Sequence, residues 1–351
     1  MSAAALIGAT KRFGDTTAVD AMSLEVADGE FVVLLGPTGA GKTTTLRLFA
    51  GLERPDHGRV TIGGADVTAT GPAERDVAFV FQQYSLYPHL TVYENLAFPL
   101  KAPGRRMGAA AIRRRVTEIA ELLRIAPKLK NRVTALSGGE MQRVSIGRAL
   151  VREPSLFLMD EPLSSLDAKL REDLRVELKR IQRDLGATIV YVTHDQLEAM
   201  TLADRIGVLS AGRLIQVDTP RAVYETPADI TAAQRLGSPQ INLVPPAAMA
   251  LDCPAGAATA GVRPEDIILV PGRADARDAT GGAPGGATGG VTGAVLAVEH
   301  FGVETVALVE IAGRQVHALV GPRADFAHGS PVAATVRPGA ALFFDSSGVR
   351  L

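Results

Sequence analysis

The chain lacks tryptophan, carries a single cysteine and has almost no net charge. Among its 351 residues, Lys and Arg number 37 and Asp and Glu number 38, so the formal net charge is −1 at pH 7. Without an excess of positive charge there is no global field to hold a polyanion, which argues against nucleic acid as the main partner. The lone Cys253 can form neither an internal disulfide nor a cysteine metal site, which indicates a reducing compartment.

Long hydrophobic runs are also missing, although hydrophobic residues make up 46% of the chain. The apolar stretches, such as residues 31–35, are far shorter than the ~20 residues that span a bilayer. The N-terminus has no basic segment ahead of its short apolar stretch, unlike a secretory signal. We therefore expect a cytoplasmic protein of two or three domains.

Short, continuous apolar runs alternate with longer helical patterns up to about residue 235. Such runs are typical of strands buried on both faces, and they predict a largely parallel α/β sheet. They lie at 31–35, 77–81, 155–159, 188–192 and 206–209. Leu and Ile recur at intervals of three and four from 166 to 185, which predicts a long helix that ends at Gly186.

After residue 235 the chain becomes rich in Pro, Gly and Ala, and its polarity alternates with period two. Residues 303–311 and 315–320 flank a short turn, which predicts a β-hairpin. The Gly-rich segment 281–290 predicts a flexible loop. We therefore place a domain boundary near residue 235, between an α/β domain and an all-β domain over 236–351.

Five arginines fall within residues 105–115, in a segment that also has an apolar helical face. Because the apolar residues share that face, the arginines are predicted to lie largely on the solvated side of a helix. We favour this interpretation over a nucleic-acid patch.

The strand predicted at 31–35 runs directly into a glycine-rich loop and then a helical pattern. The loop reads Gly36, Pro37, Thr38, Gly39, Ala40, Gly41, Lys42, Thr43, Thr44, the G-x-x-x-x-G-K-T spacing of a phosphate-binding loop. Its glycines let backbone N–H groups converge on phosphate oxygens at a helix N-terminus. Lys42 adds positive charge for the β and γ phosphates, Thr43 a hydroxyl for Mg²⁺, and Thr44 a donor for the α-phosphate. A ligand-free Gly-rich turn is the alternative.

Two adjacent carboxylates follow the apolar run at 155–159. Asp160 can hold hydrated Mg²⁺, while Glu161 can polarise a water for attack on the γ-phosphate. In the alternative interpretation, the two acids merely end a strand before Pro162. His194 follows another predicted strand and could stabilise charge at the γ-phosphate, although a lone histidine would ordinarily be structural.

A second glycine-rich segment, Ser137-Gly138-Gly139-Glu140, precedes another helical pattern. Ser137 and Glu140 have capping-box spacing, so a simple helix start also explains them. Gly138 and Gly139 leave this N-terminus bare of side chains, which suits close approach of a phosphate. Since the chain already has one phosphate loop, a second anion site predicts a second nucleotide and a dimer.

Taken in order, these motifs resemble those of the ATPase subunits of ABC transporters. The set comprises the phosphate loop, Gln82, 136–140, 160–161, 164–167 and His194. Segments 81–90, 192–200, 237–242 and 261–266 are most similar to the maltose-type branch of carbohydrate importers. The resemblance covers essentially the whole chain. It implies an α/β P-loop ATPase cassette over 1–235 with a helical subdomain at about 84–155, then a small OB-like barrel over 236–351 that serves regulation or dimerisation.

In this family two ATPase subunits close head to tail around two ATP molecules, so the resemblance implies a partner subunit that is identical or a paralogue. Each ATP would lie between one phosphate loop and the partner's Ser137, Gly138 and Gly139. Asp167 would communicate across the dimer.

The resemblance also implies individual roles in the ATP site. Glu161 would be the catalytic base, and Gln82 would sense Mg²⁺ and the attacking water. Phe13 matches an adenine-stacking aromatic for which Tyr is usual. Glu140 stands where Gln is usual, which adds negative charge near an anion site.

Finally, the resemblance implies two polytopic membrane permeases, an indirect substrate-binding protein and a peripheral location at the cytoplasmic face of the cell membrane. Tyr84, Leu86 and Tyr87 are candidate permease contacts, with core aromatics as the alternative. The expected cargo is a carbohydrate, polyol or glycerol phosphate. Sulfate, iron or polyamine importers share the same cassette, and a soluble ABC ATPase without transport is a further alternative.

Overall fold

The computed structural model describes residues 2–102, 107–272, 290–322 and 324–351. They form two compact units that divide between Pro220 and Arg221. This division lies before the composition change near residue 235, because residues 221–233 belong to the second unit. Within that unit, Ile230 N donates to Gly348 O at 2.9 Å. The ATPase and regulatory domain limits at 235 stay a prediction. None of the described helices combines the length and apolar character needed to cross a bilayer.

The first unit combines two sheets with helices. Its strands are β1 (Ser2–Phe13), β2 (Thr16–Ala27), β3 (Phe31–Leu35), β4 (His57–Ile62), β5 (Ala65–Asp66), β6 (Val77–Val80), β7 (Leu156–Asp160), β8 (Ile189–Thr193), β9 (Arg205–Ser210) and β10 (Arg213–Asp218). Its helices are α1 (Lys42–Ala50), α2 (Val92–Ala97), α3 (Ala109–Leu122), α4 (Gly138–Leu150), α5 (Ala168–Leu185) and α6 (Gln196–Leu202).

The central sheet has the strand order β10-β9-β3-β8-β7-β6, and all neighbours except β10 and β9 are parallel. The apolar runs predicted as buried strands all lie in it, so the prediction of a largely parallel sheet is confirmed. Every side chain of β3 is at most 2% exposed. Because the strands are parallel, the loops after β3, β7 and β8 leave the same edge of the sheet.

A second, antiparallel sheet has the order β2-β1-β4-β5. Its long strands β1 and β2 pair with several register shifts, and β2 alternates buried and exposed side chains over its second half. One core cluster joins apolar residues of this sheet, α1 and the central sheet. Helix α1, which starts at Lys42, is therefore packed between the two sheets.

Helices α3 and α5 bury most of the apolar residues whose spacing predicts them. Gly186 ends α5 in the left-handed conformation, with φ 60°, as predicted. Leu185, the last residue of the Leu and Ile repeat that predicts this helix, is 43% exposed. Of the five arginines predicted to lie largely on the solvated side, Arg105 and Arg106 lie outside the described residues, and Arg113 and Arg114 of α3 are exposed. The exception is Arg115, whose side chain is only 13% exposed. Its guanidinium pairs with a glutamate carboxylate at 2.7 Å and is largely covered, because it closes the gap between α3 and the end of α4.

The second unit is built from β-strands and short helices. Its elements are α7 (Pro220–Glu225), α8 (Ile230–Ala233), β11 (Asn242–Val244), β12 (Thr259–Val262), β13 (Ile267–Pro271), β14 (Val291–His300), β15 (Thr305–Ile311), β16 (Arg314–Val320), β17 (Pro331–Val336) and β18 (Leu342–Phe344). The sheet orders are β11-β12-β18 and β13-β17-β14-β15-β16, and one core cluster draws on both sheets. The predicted hairpin is confirmed, with β15 and β16 joined by Ala312 and Gly313 at positive φ. Of the Gly-rich segment 281–290, residues 281–289 lie outside the described part of the chain.

Candidate functional site

The loop between β3 and α1 has the shape that a phosphate site requires. Gly41 is the N-cap of α1 with φ 95°, and a Cβ there would lie 2.2 Å from Ala18 O. A Cβ at Gly36 would lie 2.5 Å from Leu209 O. Only glycine fits either position, because the backbone passes too close to neighbouring carbonyls. At these two positions the loop therefore presents bare main chain, and Gly41 lies at the N-terminus of a helix.

Lys42 lies along this loop with only 6% of its side chain exposed. Its ammonium donates to Gly36 O at 2.9 Å and Pro37 O at 3.0 Å, and lies 3.9 Å from Glu161 Oε1. These contacts fix a positive charge between the loop and the end of β7. A phosphate bound by the loop would meet that charge directly.

Asp160, the last residue of β7, lies next to the start of α1. Thr43 Oγ1 donates to Asp160 Oδ1 at 3.0 Å. Burial raises the pKa of Asp160, the Thr43 hydrogen bond opposes the rise, and the neighbouring Glu161 charge adds to it. A hydroxyl and a carboxylate at this spacing are hard oxygen donors, which fit Mg²⁺ held together with substrate phosphates and water.

Glu161 is held in an unusual backbone conformation, with φ 44°. Its N–H donates to Val192 O at 3.0 Å, which keeps it in line with β8. Its Oε2 lies 3.0 Å from His194 Nδ1, and His194 is 60% exposed. Non-glycine residues with positive φ are concentrated at functional sites, because the surrounding structure must hold the strain. The carboxylate is thus fixed between a buried lysine and a solvent-facing imidazole.

Lys42, Thr43, Asp160 and Glu161 line one open cavity of about 500 Å³, within the size range of small-molecule sites. Its lining includes the predicted residues Thr38, Gly39, Gly41, Lys42, Thr43, Thr44, Gln82, Asp160 and Glu161. Thr16, Thr17 and Ala18 also line it and were missed by the sequence analysis. The only signal for them was their position just after Phe13, since the hairpin of β1 and β2 was not predicted.

The remaining predicted site residues do not line this cavity within the described chain. Ser137 caps α4, and the predicted capping box is confirmed, since Ser137 N donates to Glu140 Oε2 at 2.9 Å. Asp167 caps α5 by accepting from Leu170 N at 3.0 Å. Phe13 is 46% exposed, with Lys11 Nζ 5.3 Å from its ring centroid. Any nucleotide contact of the α4 start would therefore involve a different phosphate site.

The candidate permease contacts are partly packed within the chain. The ring of Tyr87 lies 4.5 Å from that of Phe98, and Tyr84 Oη accepts from Ser165 Oγ at 3.3 Å. Tyr84, Leu86 and Tyr87 are all half-buried. Both earlier interpretations, contact and core, are compatible with such positions, so the permease contacts stay a prediction.

Comparison with known proteins assigns the chain to a family. Residues 19–164 match the ABC transporter family, and residues 260–344 match the TOBE domain. The sn-glycerol-3-phosphate import ATP-binding protein UgpC 3 of Rhizobium johnstonii is 46% identical over 352 residues, which covers 97% of each chain. The chain belongs to the ATP-binding proteins of ABC importers.

Other members and solved structures agree with this family. The trehalose/maltose import ATP-binding protein MalK of Thermococcus litoralis is 53% identical over 250 residues, or 70% of this chain and 67% of that one. A dimeric ATP-binding cassette in a post-hydrolysis state, bound to ADP and Pi, superposes with a TM-score of 0.56 and 33% identity. It covers 62% of this chain and 99% of its own.

Membership confirms the predicted fold class and activity. The protein is an ABC ATPase whose cassette is followed by a TOBE domain with an OB-like β architecture. It binds nucleotide and couples ATP hydrolysis to transport. The roles of individual residues, the domain limits and the cargo stay predictions.

Proposed function

We propose that this importer ATPase hydrolyses ATP in the cavity between its phosphate loop and the ends of β7 and β8. The observation that carries the proposal is the placement of Glu161, whose carboxylate lies 3.9 Å from Lys42 Nζ and 3.0 Å from His194 Nδ1 at the cavity wall. A carboxylate between a phosphate-binding cation and an imidazole is positioned to orient water against a γ-phosphate.

Each side chain of the site has a separate task in this proposal. The loop N–H groups and Lys42 bind the phosphates, Glu161 accepts a proton from the attacking water, and His194 orients Glu161. Thr43, Asp160 and Gln82 would hold Mg²⁺, which when bound neutralises charge on the β and γ phosphates. Phe13 would stack on the adenine through its exposed ring.

We further propose that the start of α4 binds the ATP of a second subunit. Ser137, Gly138 and Gly139 form the start of this helix. The capping box binds the N–H groups of Ser137 and Glu140, and those of Gly138 and Gly139 have no partner within the helix. They lie away from the chain's own cavity, so they would serve a nucleotide held by the partner, identical or paralogous. The dimeric state of the similar post-hydrolysis cassette supports this arrangement. Asp167 would then face the partner from the start of α5.

The cargo we propose is sn-glycerol 3-phosphate or a sugar. It would cross the membrane through two permeases, and this subunit would bind them at the cytoplasmic face. The relative whose match covers 97% of both chains is named for sn-glycerol-3-phosphate import. The match to the trehalose/maltose import protein covers less, 70% of this chain and 67% of that one. Uptake of labelled glycerol 3-phosphate and of maltose, measured in deletion cells carrying the wild type or Glu161→Gln, tests this. Uptake of neither solute by the wild type would contradict the cargo.

The active-site assignment is tested by Glu161→Gln and Lys42→Ala, with the exposed Glu172→Gln on α5 as the matched control. Glu161→Gln should keep ATP affinity and lower kcat by about 100-fold or more, because only the proton acceptor is lost. Lys42→Ala should weaken ATP binding itself. Turnover near the wild-type value in Glu161→Gln, measured by phosphate release, would remove Glu161 from its role.

A further inference from the structure

Arg171 on α5 contacts both of the loops that follow Glu161 and His194. Its Nη2 donates to Leu166 O at 2.9 Å and reaches Ser164 O at 3.5 Å. Its Nη1 lies 3.5 Å from Asp195 Oδ2, the carboxylate directly after His194. One guanidinium therefore meets acceptors on two separate segments.

The first segment is tied to Glu161. Ser164 Oγ donates to Glu161 O at 2.8 Å, and Ser164 N donates to the same carbonyl at 3.2 Å. These bonds form a tight turn that begins at the strained Glu161 and ends near Leu166. Because Arg171 binds the carbonyls of that turn, the side chain of Arg171 limits where the turn can move.

The second segment is tied to His194. The other carboxylate oxygen of Asp195 accepts from Leu197 N at 2.8 Å and Glu198 N at 3.1 Å, which caps α6. Asp195 N also donates to Thr193 Oγ1 at 3.0 Å. Asp195 thus links the position of His194 to the start of α6, and Arg171 links Asp195 to the turn after Glu161.

An exposed ion pair by itself contributes little to stability. Arg171 and Asp195 are, however, only 32% and 27% exposed, and the pair shares its guanidinium with two carbonyls. A planar guanidinium can donate in several fixed directions at once, which a lysine ammonium on a flexible stem does less well. The arrangement is that of a clamp between two loops.

We infer that Arg171 is a positioning residue for ATP hydrolysis. It holds the turn at 164–166 and the Asp195 turn at a fixed separation, so that Glu161 Oε2 and His194 Nδ1 stay at 3.0 Å. The inference rests on the roles proposed above for Glu161 and His194. Since small displacements of a catalytic group lower the rate strongly, loss of the clamp should act on kcat more than on ATP binding.

A double-mutant cycle with Arg171→Gln and Asp195→Asn tests the clamp in the full chain. Asn still caps a helix, so Asp195→Asn removes the ion pair and leaves α6 intact. Each single variant should lower kcat about tenfold and change the KM for ATP less than about twofold, and the double variant should be no slower than the slower single one. Arg183→Gln, an exposed arginine on the same helix, is the control.

Melting temperatures separate positioning from folding, and they should stay close to the wild type in both single variants. Multiplicative losses in the double variant, or a loss that appears in KM alone, would overturn the inference. If Arg171→Gln does not fold, Asp195→Asn alone must still lower kcat, and wild-type turnover would reject the clamp. Glu161→Gln is run alongside: if it keeps its turnover, the proposed site fails; if it is inactive while Arg171→Gln is normal, only the clamp fails.

Discussion

At the scale of single residues, Glu140 places a carboxylate at the start of α4, beside the proposed second phosphate site. Its Oε2 accepts from Ser137 N at 2.9 Å, and its Oε1 lies 3.1 Å from Lys128 Nζ. The Ser137 N–H lowers the pKa of Glu140 most, and Lys128 lowers it further. The carboxylate is therefore ionised at neutral pH, and Lys128 compensates for a negative charge that would otherwise oppose the phosphate.

We expect Lys128→Met to raise the KM for ATP about two- to fivefold, since a charge at a helix N-terminus contributes ~0.3–1 kcal/mol. The effect should disappear in a Glu140→Gln background, where there is no charge to compensate. The measurement is the ATPase KM at low ionic strength, with the exposed Lys130→Met as control. An equal rise in KM in the Glu140→Gln background would contradict this role.

At the scale of elements, the buried parallel strands were predictable because each is a continuous apolar run, as in β3 and β8. The phosphate loop was predictable because all of its motif residues are contiguous in the sequence. The hairpin of β1 and β2 was not, because burial does not alternate along β1, where the register shifts lie, and β2 alternates only over its second half. Its contribution to the cavity, Thr16 to Ala18, was therefore missed as well.

Contacts between distant elements also escape sequence analysis, and the pair between α4 and α5 is an example. Arg143 Nη1 lies 2.6 Å from Glu177 Oε2, with exposed fractions of 16% and 9%. Burial raises the pKa of Glu177, and Arg143 opposes that rise. The pair therefore joins α4, which Ser137 caps, to α5, which Asp167 caps.

Arg143→Met should destabilise the protein by ~3–5 kcal/mol at pH 8, because Glu177 is left buried and ionised. The loss should shrink as the pH falls toward the ordinary Glu pKa of 4.5. A raised pKa in the folded state favours the neutral form, so the penalty is present above the folded pKa and is relieved below it.

The measurement is the urea midpoint of the full chain at pH 8 and pH 5.5. Arg143→Met/Glu177→Leu should recover most of the loss, and Arg221→Met, from an exposed pair with Glu225, should cost under about 1 kcal/mol. A loss that is independent of pH, or is retained in the double variant, would show that the charge of Glu177 is not its cause.

At the scale of the whole molecule, the described part of the chain has two glycine-rich helix starts, at α1 and α4, and of these two the α1 start lines the chain's own cavity. Local spacing was enough to predict both, because each motif is contiguous in sequence. The cargo could not be predicted in this way, because other chains of the importer recognise it. Only the similarity to glycerol-phosphate and sugar import proteins bears on it.

Closure of the dimer should depend on the second helix start. In a Glu161→Gln background, ATP should double the mass measured by light scattering, whereas ADP should not. Adding Gly138→Asp should prevent dimerisation while ATP still binds, because a carboxylate would repel the partner's phosphate. Gly108→Asp, at the N-cap of α3 where a Cβ has open space, is the control. Full dimerisation of the Gly138→Asp variant would contradict the head-to-tail site.

This ATPase works as the motor of a membrane importer. The most direct test is to tag the subunit in its own cells, solubilise the membranes gently and identify the co-purifying proteins by mass spectrometry. We expect two polytopic membrane proteins, in an assembly whose ATPase activity is lost with Glu161→Gln. Repeated recovery of soluble partners alone would contradict it.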